Sequence, residues 1–238
     1  MKRFFTLAVA AVCLATAFSA CKPQETTSNY IATATLKATE GDAFFLEVDD
    51  NTALIPSNIT VNPFPGAPER RCKAIYTVNG ESKSGVIGYD KTYSVKLAAL
   101  DTVLTKQIAA STGSKEKDDK VFGTDEVGLY LSESGNFPCT MIEDGYLCVS
   151  FTFVSYLGGP HIVNLVVDKN DPYTVEFRHN ANGDNVGNLY GGYVCFPLKN
   201  LPDTGGKTVK LTLKWNSLKT GKWESTTFDY CSRTDWPE

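Results

Sequence analysis

The chain is poor in the residues that most often carry chemistry. It has only two histidines, His161 and His179, in 238 positions. None of its seven cysteines is spaced C-x-x-C, so the pattern offers no zinc site. G-x-S-x-G, H-E-x-x-H and a Walker loop are missing, which removes the signatures of α/β-hydrolases, zincins and P-loop enzymes. Serine or cysteine catalysis would have to use His161 or His179, and no nucleophile has a signature beside either. Positive charge is also short. Without Lys2 and Arg3, which belong to the leader, 21 basic residues face 27 acidic ones. That balance gives no electrostatic case for nucleic acid or anionic lipid as a partner. No stretch keeps a long helical period, and there is no internal repeat or low-complexity tract. Only one long apolar run exists, at the start.

That run, "FFTLAVAAVCLATAF" (4–18), follows Lys2 and Arg3. It is shorter than the ~20 residues a spanning helix needs, and its charged start and small-residue end read as a secretory signal over 1–20. Phe18-Ser19-Ala20-Cys21 resembles a bacterial lipobox, with Phe18 in place of the usual leucine. Cys21 is therefore the expected lipid attachment point, where a diacylglycerol is carried on sulfur. The alternative is ordinary cleavage after Ser19, with Cys21 a plain thiol. A single acyl chain holds a protein only marginally, at about 0.8 kcal/mol per buried CH₂, whereas two or three chains hold it durably. Lys22 is not the aspartate that retains lipoproteins in the inner membrane, so the expected location is the outer membrane, on its periplasmic face or at the cell surface. Residues 21–29, "CKPQETTSN", form a polar tether.

Beyond the tether the pattern is all-β. "YIATATLKA", "AFFLEVDD", "TALIPSN", "RCKAIYTVNG" and "YSVKLAALDTVL" are period-two runs separated by turn residues. Five strands of this size predict a small barrel over 30–110, with "LTKQIAAS" (104–111) as a short helical turn. "STGSKEKDDK" (111–120) has no apolar residue and reads as a polar linker between domains. Over 121–238, seven or so further strands predict an antiparallel β-sandwich. Asp144-Gly145 marks a hairpin turn. In "VKLTLKW", Val209, Leu211, Leu213 and Trp215 share one face and Lys210 and Lys214 the other. Cys72, Cys139, Cys148, Cys195 and Cys231 remain in the mature chain. Their number is odd and their pairing is open.

The histidines are the one candidate constellation. If Val167 faces Tyr173 across the "DKNDP" turn, His161 faces His179 at the end of an apolar stripe. Asn180 and Asp184 lie nearby in sequence, so His161, His179, Asn180 and Asp184 make a candidate polar site. Two readings compete. Either the pair binds a metal or a proton, with scattered carboxylates completing a small hydrolase, or it is two imidazoles capped by the fold. Zinc normally takes three or four protein ligands, which favours the second; no metal, cofactor or catalytic residue is assigned. "NANGDN" (180–185) and "DKND" (168–171) lack calcium-loop spacing and read as turns. Asp101-Thr102-Val103 resembles an O-glycosylation acceptor, with Thr102 the modified residue.

"HIVNLVV…YTVEFRHNANGD", together with "FFLEVDDNTALIPSN" and "YSVKLAALDTVLTK", resembles the NigD-like lipoproteins over roughly residues 30–230. The "EFRHNA-GD" block is the most specific piece. Leu54-Ile55-Pro56 departs from the family, which usually has a tryptophan before the proline. The resemblance implies an OB-type barrel followed by a β-sandwich behind a lipobox. The family is named for a bacteriocin gene cluster, and the resemblance carries over no catalytic residues. The expected function is thus a non-enzymatic envelope lipoprotein. Its partners would be the membrane, through the N-terminal lipid, and a protein or glycan; no nucleic acid is expected.

Overall fold

The computed structural model describes residues 29–82, 85–86, 88–132, 138–156 and 158–237. The signal, Cys21 and the tether up to residue 28 lie outside the described residues.

Five strands close the first domain: β1 (Tyr30–Ala38), β2 (Phe44–Asp49), β3 (Thr52–Pro56), β4 (Glu69–Glu81) and β5 (Lys91–Thr102). They form a closed barrel in the order β1-β2-β3-β5-β4, so no edge is left unpaired. Alternate residues point inward, and Ala34, Leu36, Leu46, Leu54, Ala74, Val95 and Leu97 fill the interior. Cys72 lies among them, and burial pushes its thiol up to about 11.

The second domain packs two sheets. One contains β6 (Leu104–Thr105), β8 (Gly128–Leu129), β9 (Met141–Glu143), β10 (Tyr146–Ser155) and β13 (Asn188–Pro197). The other contains β7 (Ala109–Ala110), β11 (Ile162–Val167), β12 (Thr174–Asn180), β14 (Val209–Ser217) and β15 (Lys222–Tyr230). The result is an OB-like barrel followed by a β-sandwich. Most pairs are antiparallel, but β6–β13, β7–β11 and β12–β14 are parallel. Leu211, Leu213 and Trp215 face the core with Phe151, Leu165, Phe177 and Phe196.

Two expectations about the middle of the chain are corrected. Residues 104–111 form no helical turn. Instead β6 and β7 cross from one sheet of the sandwich to the other, so the barrel ends at Thr102, not at residue 110. Residues 111–120 are not a free linker either. Helix α1 (Lys115–Phe122) starts at the N-cap Ser114 and packs on the sandwich. A buried carboxylate organises this polar stretch: Asp118 accepts from Ser111 Oγ at 2.6 Å and from Thr112 N and Oγ1 at 2.7 Å each. Asp119 then pairs with the buried Arg178 at 2.8 Å.

The domains meet where β1 and β4 of the barrel face β10 and β13 of the sandwich, and the contacts advance in step along β1 and β13. Thr33 lies 3.1 Å from the Tyr193 hydroxyl. Arg71, opposite Thr35, donates to Thr35 Oγ1 at 2.7 Å and reaches Cys148 Sγ at 3.8 Å. Cys148 and Cys195 face each other on β10 and β13 and form the disulfide. Glu69, opposite Lys37, accepts from the Tyr146 hydroxyl at 2.6 Å, and Tyr146 lies opposite Pro197. Successive rungs of the barrel strand thus meet successive rungs of the sandwich strand.

Candidate functional sites

The histidines do meet, in a different register from the expected one. Val167 lies opposite Val175 and Val163 opposite His179, a shift of two residues. The turn is the cause. Asp171 accepts from Tyr173 N at 3.0 Å and Thr174 Oγ1 at 2.7 Å, while Asp168 N donates to Thr174 O, so Tyr173 stays in the turn. A shift of two preserves the face. His161, one residue before β11, therefore still brings its Nδ1 to 2.9 Å from His179 Nε2. His161 Nε2 lies 3.6 Å from Asp184 Oδ2. Asn180 does not join them; its Oδ1 accepts from Asn182 N at 2.9 Å and closes the turn.

This cluster is closed. His179 is 2 % exposed, and the Phe153 ring packs on both imidazoles, 4.4 Å from His161 and 5.6 Å from His179. Asp184 is engaged by Ser155 Oγ and Tyr156 N, both at 2.8 Å. The serine thus bonds the carboxylate, whereas a nucleophilic triad needs it on the imidazole. His161 Nε2 is buried without a hydrogen-bond partner, while the His179 ring lies against the backbone of Asp125 and Glu126. Burial, followed by the neighbouring His161, holds the His179 imidazole below its usual titration range. Among the described residues no group of three or more His, Cys, Asp or Glu side chains is arranged to hold a metal ion. On its other side His179 borders a cavity of about 230 Å³ shared with Asp125, Glu126, Asn185 and Asn216.

A larger concavity, about 560 Å³, lies between the domains and was not legible in the sequence. The barrel contributes Lys37, Glu47, Asp50 and Tyr89; the sandwich contributes Glu143, Asp144, Asp229, Cys231, Arg233 and Asp235. The Asp144-Gly145 hairpin turn forms its floor, with Asp144 in the left-handed region at φ 48°. A Cβ on Gly145 would stand 2.7 Å from Trp236 and 2.9 Å from Arg233 Cβ, so only glycine lets the C-terminal segment close over the turn. Arg233 ties the domains together, reaching Glu69 at 2.8 Å, Asp144 at 3.1 Å and Asp235 at 2.7 Å while stacking on Trp236. Lys37 pairs with Glu47, which also accepts from Tyr89 Oη at 2.7 Å. Burial, with Asp50 beside it, pushes the Glu143 carboxyl up to about 7. The cleft is strongly polar and rich in carboxylates.

The N-terminal domain matches the NigD-like N-terminal OB domain over residues 33–103, and the second matches the NigD-like C-terminal β-sandwich domain over 108–230. The chain belongs to the NigD-like family. The first match ends one residue past the last barrel strand, and the second begins inside the sandwich domain. Among solved structures, this NigD-like chain is similar to a protein from Parabacteroides distasonis provisionally described as toxin-related. Identity is 29 % and the TM-score 0.68, with 86 % of this chain and 94 % of that one covered. A NigD-like immunity protein from Bacteroides caccae shares the fold at 19 % identity and TM-score 0.57, covering 86 % and 98 %. A protein from Bacteroides fragilis provisionally described as a lipoprotein does so at 11 % identity and TM-score 0.54, covering 88 % and 100 %. No curated protein matches the chain.

Proposed function

We propose that this NigD-like chain is a non-enzymatic, lipid-anchored envelope protein that binds a macromolecular partner. The interdomain cleft carries the reading: two domains joined through Arg71, Arg233 and Tyr146 enclose a polar concavity, and among the described residues neither histidine lines it. A preorganised surface of this kind suits recognition, since little ordering has to be paid on binding. The lipobox at Cys21 supplies the address, and the outer membrane is the proposed site. The relatives provisionally described as toxin-related and described as an immunity protein favour a protein partner over a glycan, in bacteriocin or toxin handling. Under this reading the histidine cluster is structural: it pins the 158–161 and 181–187 loops.

The test is affinity capture from envelope extract with the wild-type chain and with a Glu143→Lys, Asp229→Lys chain. The reading expects a partner retained by the first and lost by the second. Persistent absence of a partner across growth conditions, or a hydrolytic activity abolished by His161→Ala in a chain that stays folded, would overturn it.

A further inference from the structure

Of the twelve large apolar side chains exposed among the described residues, six gather at one end of the molecule. On the barrel strands, among the described residues, they are Tyr30, Ile31 and Val78. All three sit at the end where β1 begins: Tyr30 lies opposite Tyr76 and stacks on it at 5.7 Å, and Val78 follows Tyr76 on the same face. Because β1 and β13 run in step, the start of β13 belongs to the same end of the molecule. There Leu189 and Tyr190 are exposed, and Tyr156, one residue beyond β10, joins them across the Ser155–Asn188 pair. These six side chains are between 40 and 71 % exposed. The polar interdomain cleft lies at the opposite end of β1, at Lys37. That is seven residues, or about 23 Å, further along the strand.

From this placement we infer that the end carrying Tyr30, Ile31, Val78, Tyr156, Leu189 and Tyr190 docks on a phospholipid bilayer, leaving the cleft facing away from it. The inference rests on the lipid anchor at Cys21. Tyr30 is nine residue steps beyond Cys21, so β1 begins within about 30 Å of the headgroups even with the tether fully extended, and about 16 Å for a flexible chain. Anchoring keeps this end at high effective concentration beside the membrane. Tyrosines with a few aliphatic neighbours suit the headgroup level, where the ring is partly buried and the hydroxyl stays wet. Attraction here is apolar, so it tolerates the chain's net negative charge.

The experiment uses the full mature chain with Cys21→Ser, which cannot be acylated, and vesicles of phosphatidylcholine and phosphatidylethanolamine. Co-sedimentation with vesicles is expected, with partitioning reduced at least tenfold by Tyr30→Ser, Leu189→Ser and Tyr190→Ser together. These positions are exposed, so the variant keeps its fold. Hydrogen exchange of the acylated protein in the same vesicles should slow over 30–31, 76–78, 156–162 and 186–190, and stay unchanged over the cleft turn 142–145. Vesicle binding that is absent, or equal in the two chains, overturns the docking face. So does unchanged exchange over these segments in a chain whose mass shows acylation. If the chain docks but its mass shows a bare Cys21, docking stands and the anchor falls.

Discussion

Acidification below pH 6.5 is expected to weaken the sandwich through His179. The folded state holds this imidazole below its ordinary titration range of 6.5, through burial and His161. The groups facing it are His161, Asp125 and Glu126, with Asp184 behind His161. The unfolded chain therefore binds a proton at pH 6.5 that the folded chain refuses. Stability is fully present above that pH and falls as pH drops toward the folded value, by about 1.4 kcal/mol per pH unit at most. That upper-bound slope corresponds to only about 0.3 M of guanidinium midpoint per pH unit. Glu143 opposes this. Its carboxyl is raised from 4.5 to about 7, so the folded chain binds the extra proton in that window and gains stability as pH falls from 7 toward 4.5. The clean measurement is thus made on Glu143→Gln, following the fluorescence of Trp215, Trp223 and Trp236, all in the second domain. Its midpoint should fall from pH 6.5 to 5.0 relative to that of the same chain with His179→Gln added. Asp144, also raised by burial, opposes the fall in both chains alike, so an identical pH dependence of Glu143→Gln with and without His179→Gln would refute the reasoning.

Three further outcomes follow from the packing. Arg233→Ala strands the Glu69 and Asp144 carboxylates, 8 % and 4 % exposed, without their guanidinium; thermal unfolding should show a loss of about 3–5 kcal/mol. Gly123→Ala forces a Cβ to 2.3 Å from His179 O at φ 82°, and chemical denaturation should show a cost of roughly 2–4 kcal/mol, from left-handed strain and overpacking together. Cys148→Ala with Cys195→Ala opens a loop spanning 47 residues and should cost about 2–4 kcal/mol, while Cys72, which makes no bridge, should be replaceable by Ala at the lower cost of a cavity alone.

The strands were legible because their burial has period two. Leu211, Leu213 and Trp215, for example, alternate inward as the sequence pattern demands. The helix at 115–122 was not. It has almost no apolar face, and what fixes it is the hydrogen bonding of Asp118 and the Asp119–Arg178 pair, contacts with partners up to 59 residues away. The histidine contact was legible in kind but not in register, since Asp171 decides how much of the turn is strand. Asp184 lies beside the pair, whereas the Asn180 amide caps its own turn. The interdomain cleft left no local trace. Glu69, Arg71, Tyr146 and Arg233 come from three distant segments, each ordinary in its own surroundings. Asp144-Gly145 read correctly as a hairpin turn, yet nothing in a turn signature says that it floors a junction.

The most direct test of the account is the intact mass of the protein extracted from its envelope. A chain that begins at Cys21, carries a diacylglycerol on that sulfur and needs detergent for release is the predicted result. A freely soluble chain with an unmodified thiol at position 21 would contradict it.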